Sequence, residues 1–247
     1  MRRTLAAAIV LLAAPSAHAG DRPRGFVDAK TFIPDLVVEM RYTMAHNFVG
    51  KPIPGYKAPR CLLTRPAAQA LQCAADSLRP RGYTLKVYDC YRPQTAVNAF
   101  VSWGRDLRDQ KTKPEFYPEV DKRRLFVEGY IASRSGHSRG STVDVTLVPL
   151  SAPQAPFDPG ATAIRACDSK SAARTNDGSA DMGTGFDCFS ALSHTSSIKV
   201  NEAQRANRKL LHAFMRQCGW INNINEWWHY TLRAEPYPST FFDFPVE

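Results

Sequence analysis

Hydrophobic and polar positions alternate or recur clearly in only a few stretches of this 247-residue chain. Leu5–Ala14 is an unbroken apolar run. Residues 20 to about 60 are irregular and rich in Pro and Gly, with one apolar, strand-like stretch at Leu36–Met40. Thr64 stands where a helix N-cap would, Pro66 fits a first turn, and Ala67, Ala70, Leu71, Ala74 and Leu78 recur at helical spacing. Gly82 ends that unit. Tyr83, Leu85 and Val87 alternate with Thr84, Lys86 and Tyr88, which predicts a strand. A helix follows from Pro93 to about Trp103. Val143, Val145 and Leu147 alternate with Thr142, Asp144 and Thr146, predicting a second, half-buried strand. Asn201 caps the most regular helix, whose apolar stripe is Ala203, Ala206, Leu210, Leu211, Phe214 and Met215, closed by Gly219. A last strand is expected from about Trp227 to Leu232.

Strands and helices are interspersed without regular βαβ alternation, so the expected class is α+β. One domain over 20–247 is expected, with a small, mainly antiparallel sheet flanked by helices. Residues 149–185, rich in Pro, Ala, Gly, Ser and Asp, read as a long loop.

Composition changes the picture at the N-terminus and at the cysteines. Arg2 and Arg3, the short apolar run and Ala17-His18-Ala19 before Gly20 have the order of a signal peptide over 1–19. Export, most naturally to a periplasm, is the expectation, and no later segment is apolar enough to cross a membrane. Cys61, Cys73, Cys90, Cys167, Cys188 and Cys218 are then expected to form disulfides, because no CxxC pair points to thiolate zinc. Cys167 and Cys188 flank the long loop and are expected to pair. The formal charge is +9, or +9 − 2 = +7 once Arg2 and Arg3 leave. The basic residues are scattered and accompany no nucleic-acid motif, so they read as solubility.

Two stretches carry chemistry: Ser135-Gly136-His137-Ser138-Arg139-Gly140-Ser141-Thr142-Val143-Asp144 and Glu226-Trp227-Trp228-His229-Tyr230. With Val143 and Val145 facing a core, Asp144 faces the other way, where an acid among β-branched residues needs a partner. Gly140 lets the chain return His137 towards Asp144, and imidazole and carboxylate are both zinc ligands. Glu226 and His229 lie three apart, so a bulge or strand start is expected between them. Aromatic neighbours would make a dry wall and raise the glutamate towards general-base values. His46, His194 and His212 read as ordinary structural or surface histidines.

Ser-x-His-x6-Asp with a later Glu-x-x-His resembles the zinc D,D-peptidases. The fuller text, together with Glu235-Pro236-Tyr237-Pro238 and Phe242-Asp243-Phe244-Pro245-Val246, most resembles the VanX-type D-alanyl-D-alanine dipeptidases from about Asp28 onward. The resemblance implies one Zn2+ per chain on His137, Asp144 and His229, Glu226 as catalytic base, and Arg92 as oxyanion stabiliser. It further implies that Tyr42, Tyr56, Ser135 and Asp187 line the dipeptide pocket, with Asp187 pairing the substrate ammonium. Residues 149–185 are longer than in the shorter members of that family. A D,D-carboxypeptidase acting on longer muropeptides is the nearest alternative. A cell-wall-binding module with a structural zinc is the alternative from outside enzymology. Oligomeric state stays open.

Overall fold

The computed structural model describes residues 22–151, 157, 165–170, 174 and 176–247. The expected signal segment, 1–19, lies outside the described residues, as does part of the 149–185 stretch.

The two alternating segments become the long central strands. They are β4 (Tyr83–Asp89) and β5 (Thr142–Pro149), in a mixed, mainly antiparallel sheet. Numbering the others in chain order, β1 is Phe26–Asp28, β2 Val37–Val38, β3 Leu62–Thr64, β6 Trp220–Asn222 and β7 His229–Leu232. The sheet order is β2-β4-β5-β7-β6, with only β2 and β4 parallel, and β1 pairs with β3 separately. The helices are α1 (Arg65–Leu78), α2 (Gln94–Arg105), the single turn α3 (Lys113–Phe116) and α4 (Glu202–Gln217). This is the expected α+β class.

One sheet face packs against α1 and α4 through Leu85, Val87, Val143, Val145 and Leu147. The second strand was expected to be half-buried, yet on the other face Thr84, Lys86, Thr142, Asp144 and Thr146 are all buried too. The long loop covers it: Ala180 N–H donates to Leu147 O at 2.8 Å, and the Lys86 ammonium reaches Asp177 O. Alternation reports polarity, and here the polar face meets a second layer of protein rather than water.

Two further expectations need correction. Thr64 makes no side-chain cap on α1, because its hydroxyl is held by Ser141 Oγ at 2.8 Å. The stripe of α4 is rotated: Gln204, Arg208, Leu211 and Met215 are buried, while Ala203 and Ala206 are exposed. Arg208 can face inward because it donates to the carbonyls of Met182, His194 and Leu192 at 2.6, 2.6 and 3.0 Å. The short β1, β3 and β6 carry too little alternation to be read from the sequence. The Asn201 cap is present, with Gln204 completing a capping box.

All six cysteines are paired: Cys61–Cys90, Cys73–Cys218 and the expected Cys167–Cys188. Cys73–Cys218 ties α1 to the end of α4, a closure worth about 4 kcal/mol or more in the chain-entropy account. No helix among the described residues is long and apolar enough to cross a membrane.

Candidate active site

Strand register assembles the site. Asp144 on β5 lies opposite His229 on β7, and a bulge after Val87 on β4 brings Asp89, rather than its neighbours, opposite Asp144. Asp89, Asp144 and His229 therefore form a row across three adjacent strands. His137 arrives from the helical turn Gly136–Arg139, which ends at Gly140 with φ 78°. A side chain at Gly140 would also run into the Phe26 ring, so the return of His137 depends on glycine twice over. His229 opens β7, and its N–H donates to Glu226 O at 3.2 Å; this is the expected strand start.

His137 has one usable tautomer. Its Nδ1 lies 2.7 Å from the Cys90 carbonyl, which can only accept, so Nδ1 carries the proton and Nε2 presents a lone pair. That Nε2 is 3.3 Å from His229 Nδ1 and 3.3 Å from Asp144 Oδ1, and His229 Nδ1 is 3.1 Å from the same oxygen. Asp144 Oδ1 is buried without a hydrogen-bond donor. Two imidazoles and one carboxylate thus converge on a point, leaving an orphaned anion that a cation would satisfy.

The surrounding electrostatics follow from burial and from this convergence. Burial favours the neutral form of Asp144, but His137 and His229 outweigh it and hold the carboxyl well below the usual range. Burial likewise disfavours a protonated His229, yet the adjacent Asp144 carboxylate raises its proton affinity. Glu226 is pushed up by burial, against the pull of His229, and its Oε2 lies 3.5 Å from His229 Nδ1. Asn223 Nδ2 donates to that Oε2 at 3.0 Å. Asp187 is pushed well up by burial and by the nearby Asp144 charge.

Tyr42, Arg92, Ser135, Asp144, Asp187, Glu226 and His229 line one cleft of about 180 Å³, and His137 is buried beside it. The Tyr42 hydroxyl donates to Asp187 Oδ2 at 2.8 Å. Asp187 has φ 56°, the one left-handed non-glycine residue among the described residues, a strained conformation of the kind concentrated at functional sites. Arg92 Nε is held by Asp89 Oδ2 at 2.8 Å, which turns the far edge of the guanidinium to Asp144 and Ser135, at 3.6 and 3.5 Å.

Tyr56 is placed differently from the expectation. It is not among the cleft-lining residues; its hydroxyl donates to Asp89 Oδ1 at 2.6 Å, behind Arg92. Asp89 itself was missed by sequence reasoning, as was Asn223. The signal for Asp89 was faint: an acid ending an alternating strand, three residues before Arg92. His46, read as ordinary, is engaged by Glu115 and Arg41 at 2.7 and 3.1 Å and is not among the residues lining the cleft.

The peptidase M15 family described as D-Ala-D-Ala dipeptidase matches residues 22–173 and 165–247. The chain belongs to this family. A D-alanyl-D-alanine dipeptidase of Streptomyces coelicolor is 38% identical over 219 residues, covering 87% of this chain and 96% of the relative. One from Enterococcus faecium is 37% identical over 223 residues, covering 88% and 98%, and one from Escherichia coli is 32% identical over 214 residues, covering 86% and 87%. As a member of this family the chain is a metallo-dipeptidase, in keeping with the convergence of His137, Asp144 and His229.

Proposed function

We propose that this chain is a zinc enzyme that hydrolyses free D-alanyl-D-alanine, exported to the periplasm, where it serves cell-wall peptide turnover. The observation that carries the reading is the triangle of His137 Nε2, His229 Nδ1 and Asp144 Oδ1, with edges of 3.3, 3.3 and 3.1 Å. Four-coordinate zinc with ligands ~2.0–2.1 Å away requires ligand–ligand edges of about 3.3 Å, and this donor set suits zinc. When bound, zinc would supply a Lewis acid for the scissile carbonyl and lower the pKa of water at the site.

The residues of the chain divide the remaining work. Glu226, raised by burial and held by Asn223, takes a proton from the attacking water and returns it to the leaving amine. Arg92, fixed by Asp89, offers its outer edge to the developing oxyanion; such donors are commonly worth about 3–4 kcal/mol. Asp187 faces the substrate ammonium, and Tyr42 orients it. Ser135 lines the same wall. Tyr56 acts at one remove, by holding Asp89. The cleft, about 180 Å³, is small beside the ~300–1,000 Å³ of pockets for larger ligands, which favours a dipeptide over an extended muropeptide.

The test is an assay of zinc-loaded protein on free D-Ala-D-Ala, its N-acetyl form, a pentapeptide and L,L-dipeptides. Free D-Ala-D-Ala should be cleaved far better than the rest. Equal turnover of the free and acetylated substrates would favour a D,D-carboxypeptidase. Zinc retention without turnover of any peptide would favour a wall-binding module. Export predicts that the periplasmic protein begins near Gly20, which mass spectrometry reads directly.

A further inference from the structure

The basic residues look scattered along the sequence, but the fold gathers a group of them in a cavity outside the candidate active-site cleft. A second cavity, about 570 Å³, opens between α4, β6 and the chain at Thr195–Ile198. Arg205, Lys209 and Arg216 project into it from one side of α4, at the four- and seven-residue spacings that share a helix face, and Arg233 joins them from beyond β7. Arg208 lies buried behind them. None of these five cations has a carboxylate within ion-pair distance among the described residues, and no Asp or Glu lines the cavity.

The same cavity bears exposed apolar side chains. Ile198, Ile221 and Ile224 are 86, 49 and 73% exposed, and they are three of the seven large hydrophobic residues left exposed among those described. Isoleucines clustered with cations that no carboxylate neutralises on one face are not what solubility requires. Trp220 lies among them with its indole N–H buried and lacking an acceptor.

We propose that this face docks on an anionic phospholipid surface, with the isoleucines entering the headgroup–acyl boundary and the cations meeting lipid phosphates. Two features select that partner. A two-fold contact with a second copy would set the same cations against one another with no acid to relieve them. A nucleic acid would find phosphate contacts but no exposed aromatic platform for its bases. An anionic bilayer satisfies both halves of the patch, apolar and charged. Docking would be peripheral, since no helix among the described residues is long and apolar enough to span a membrane. The active-site cleft shares no lining residue with this face, so the dipeptidase reading and the docking reading stand or fall separately.

Flotation of the mature protein with phosphatidylcholine vesicles, with and without phosphatidylglycerol, tests this directly. The protein should float with the anionic vesicles, not with the neutral ones, and added salt should release it. Lys209→Glu with Arg216→Glu should weaken partitioning strongly, since each cation near such a surface contributes about fivefold. Ile198→Ser with Ile224→Ser should weaken it at unchanged net charge. Arg60→Glu with Arg105→Glu, exposed positions elsewhere, supplies the charge-matched control and should bind nearly as the parent does. A cooperative thermal melt followed by circular dichroism in each variant reports that it is folded. Failure of the parent to float, an equal loss in the control, or a dimer in ultracentrifugation that the isoleucine pair of substitutions dissolves would each overturn the proposal.

Discussion

Two clusters of buried charge lie on the same face of the sheet, and they resolve their charges differently. In the first, Glu39 and Asp177 meet Arg41 and Lys86: two acids and two bases. Glu39 accepts from Arg41 Nε and from Lys86 Nζ, both at 2.6 Å. Asp177 accepts from Arg41 Nη2 at 3.2 Å, Tyr88 at 2.5 Å and Ser179 Oγ at 2.6 Å. Each carboxylate oxygen has a donor. In the second, the candidate active site, the carboxyls of Asp89, Asp144, Asp187 and Glu226 surround a single guanidinium, that of Arg92. Asp144 Oδ1 has no donor, and burial pushes Asp89, Asp187 and Glu226 above their ordinary range. A self-neutralising cluster fixes a loop onto a sheet. An acid-rich one is, on the proposed function, completed by a metal cation and a substrate ammonium.

The contrast can be broken most severely at the ligands. His137→Ala should reduce bound metal and bring turnover to background, whereas Lys86→Met, in the other cluster, should leave metal content unchanged; elemental analysis of both proteins decides it. Next in size, Glu226→Ala should keep its metal and lose about 10²–10⁴-fold in turnover, because it removes a proton carrier and no ligand. A metal-replete Glu226→Ala enzyme with nearly normal rates would remove Glu226 from the mechanism.

A smaller effect is expected at Asp187. Asp187→Asn should lower kcat/KM for free D-Ala-D-Ala by about 10–100-fold, the usual worth of a charged hydrogen bond, while scarcely changing the N-acetyl substrate. Parallel losses on both substrates would show that Asp187 does not read the ammonium.

The smallest effect belongs to the self-neutralising cluster and is one of stability. Burial opposes ionisation of Asp177, but Lys86 and Arg41 outweigh it and lower its pKa to about 2, against an ordinary 3.8. A depressed carboxyl stabilises above its unfolded pKa and loses that contribution as the pH falls through the folded value. Asp177→Asn should therefore cost about 2 kcal/mol in denaturant melts at pH 7, with the deficit shrinking between about pH 4 and pH 2. Turnover should change little. A deficit that persists undiminished at pH 2 would mean that packing, not charge, explains it.

Much of the candidate site was legible because it was written in local patterns. Asp144 stood out as an acid opposed to the apolar face of a strand, and the glycine after His137 made its return plausible. Glu226 and His229 were legible as a pair whose spacing no regular strand allows. Asp89 was not, since its place depends on a bulge that only pairing with β5 creates. Tyr56 has nothing in its surroundings to say that it would hold Asp89 rather than line the cleft.

By itself, then, the sequence determined the class of the fold, the two central strands, the long helices, and the residue types that can hold a metal. These follow from near-neighbour periodicity and side-chain chemistry, which a linear chain carries in full. Tertiary structure alone decided which polar faces became interior, how the six cysteines paired apart from Cys167 and Cys188, and which cations came to share one surface. Those outcomes depend on contacts between segments far apart in the chain. Cys73 and Cys218, 145 residues apart, meet only because α1 and α4 pack on the same side of the sheet.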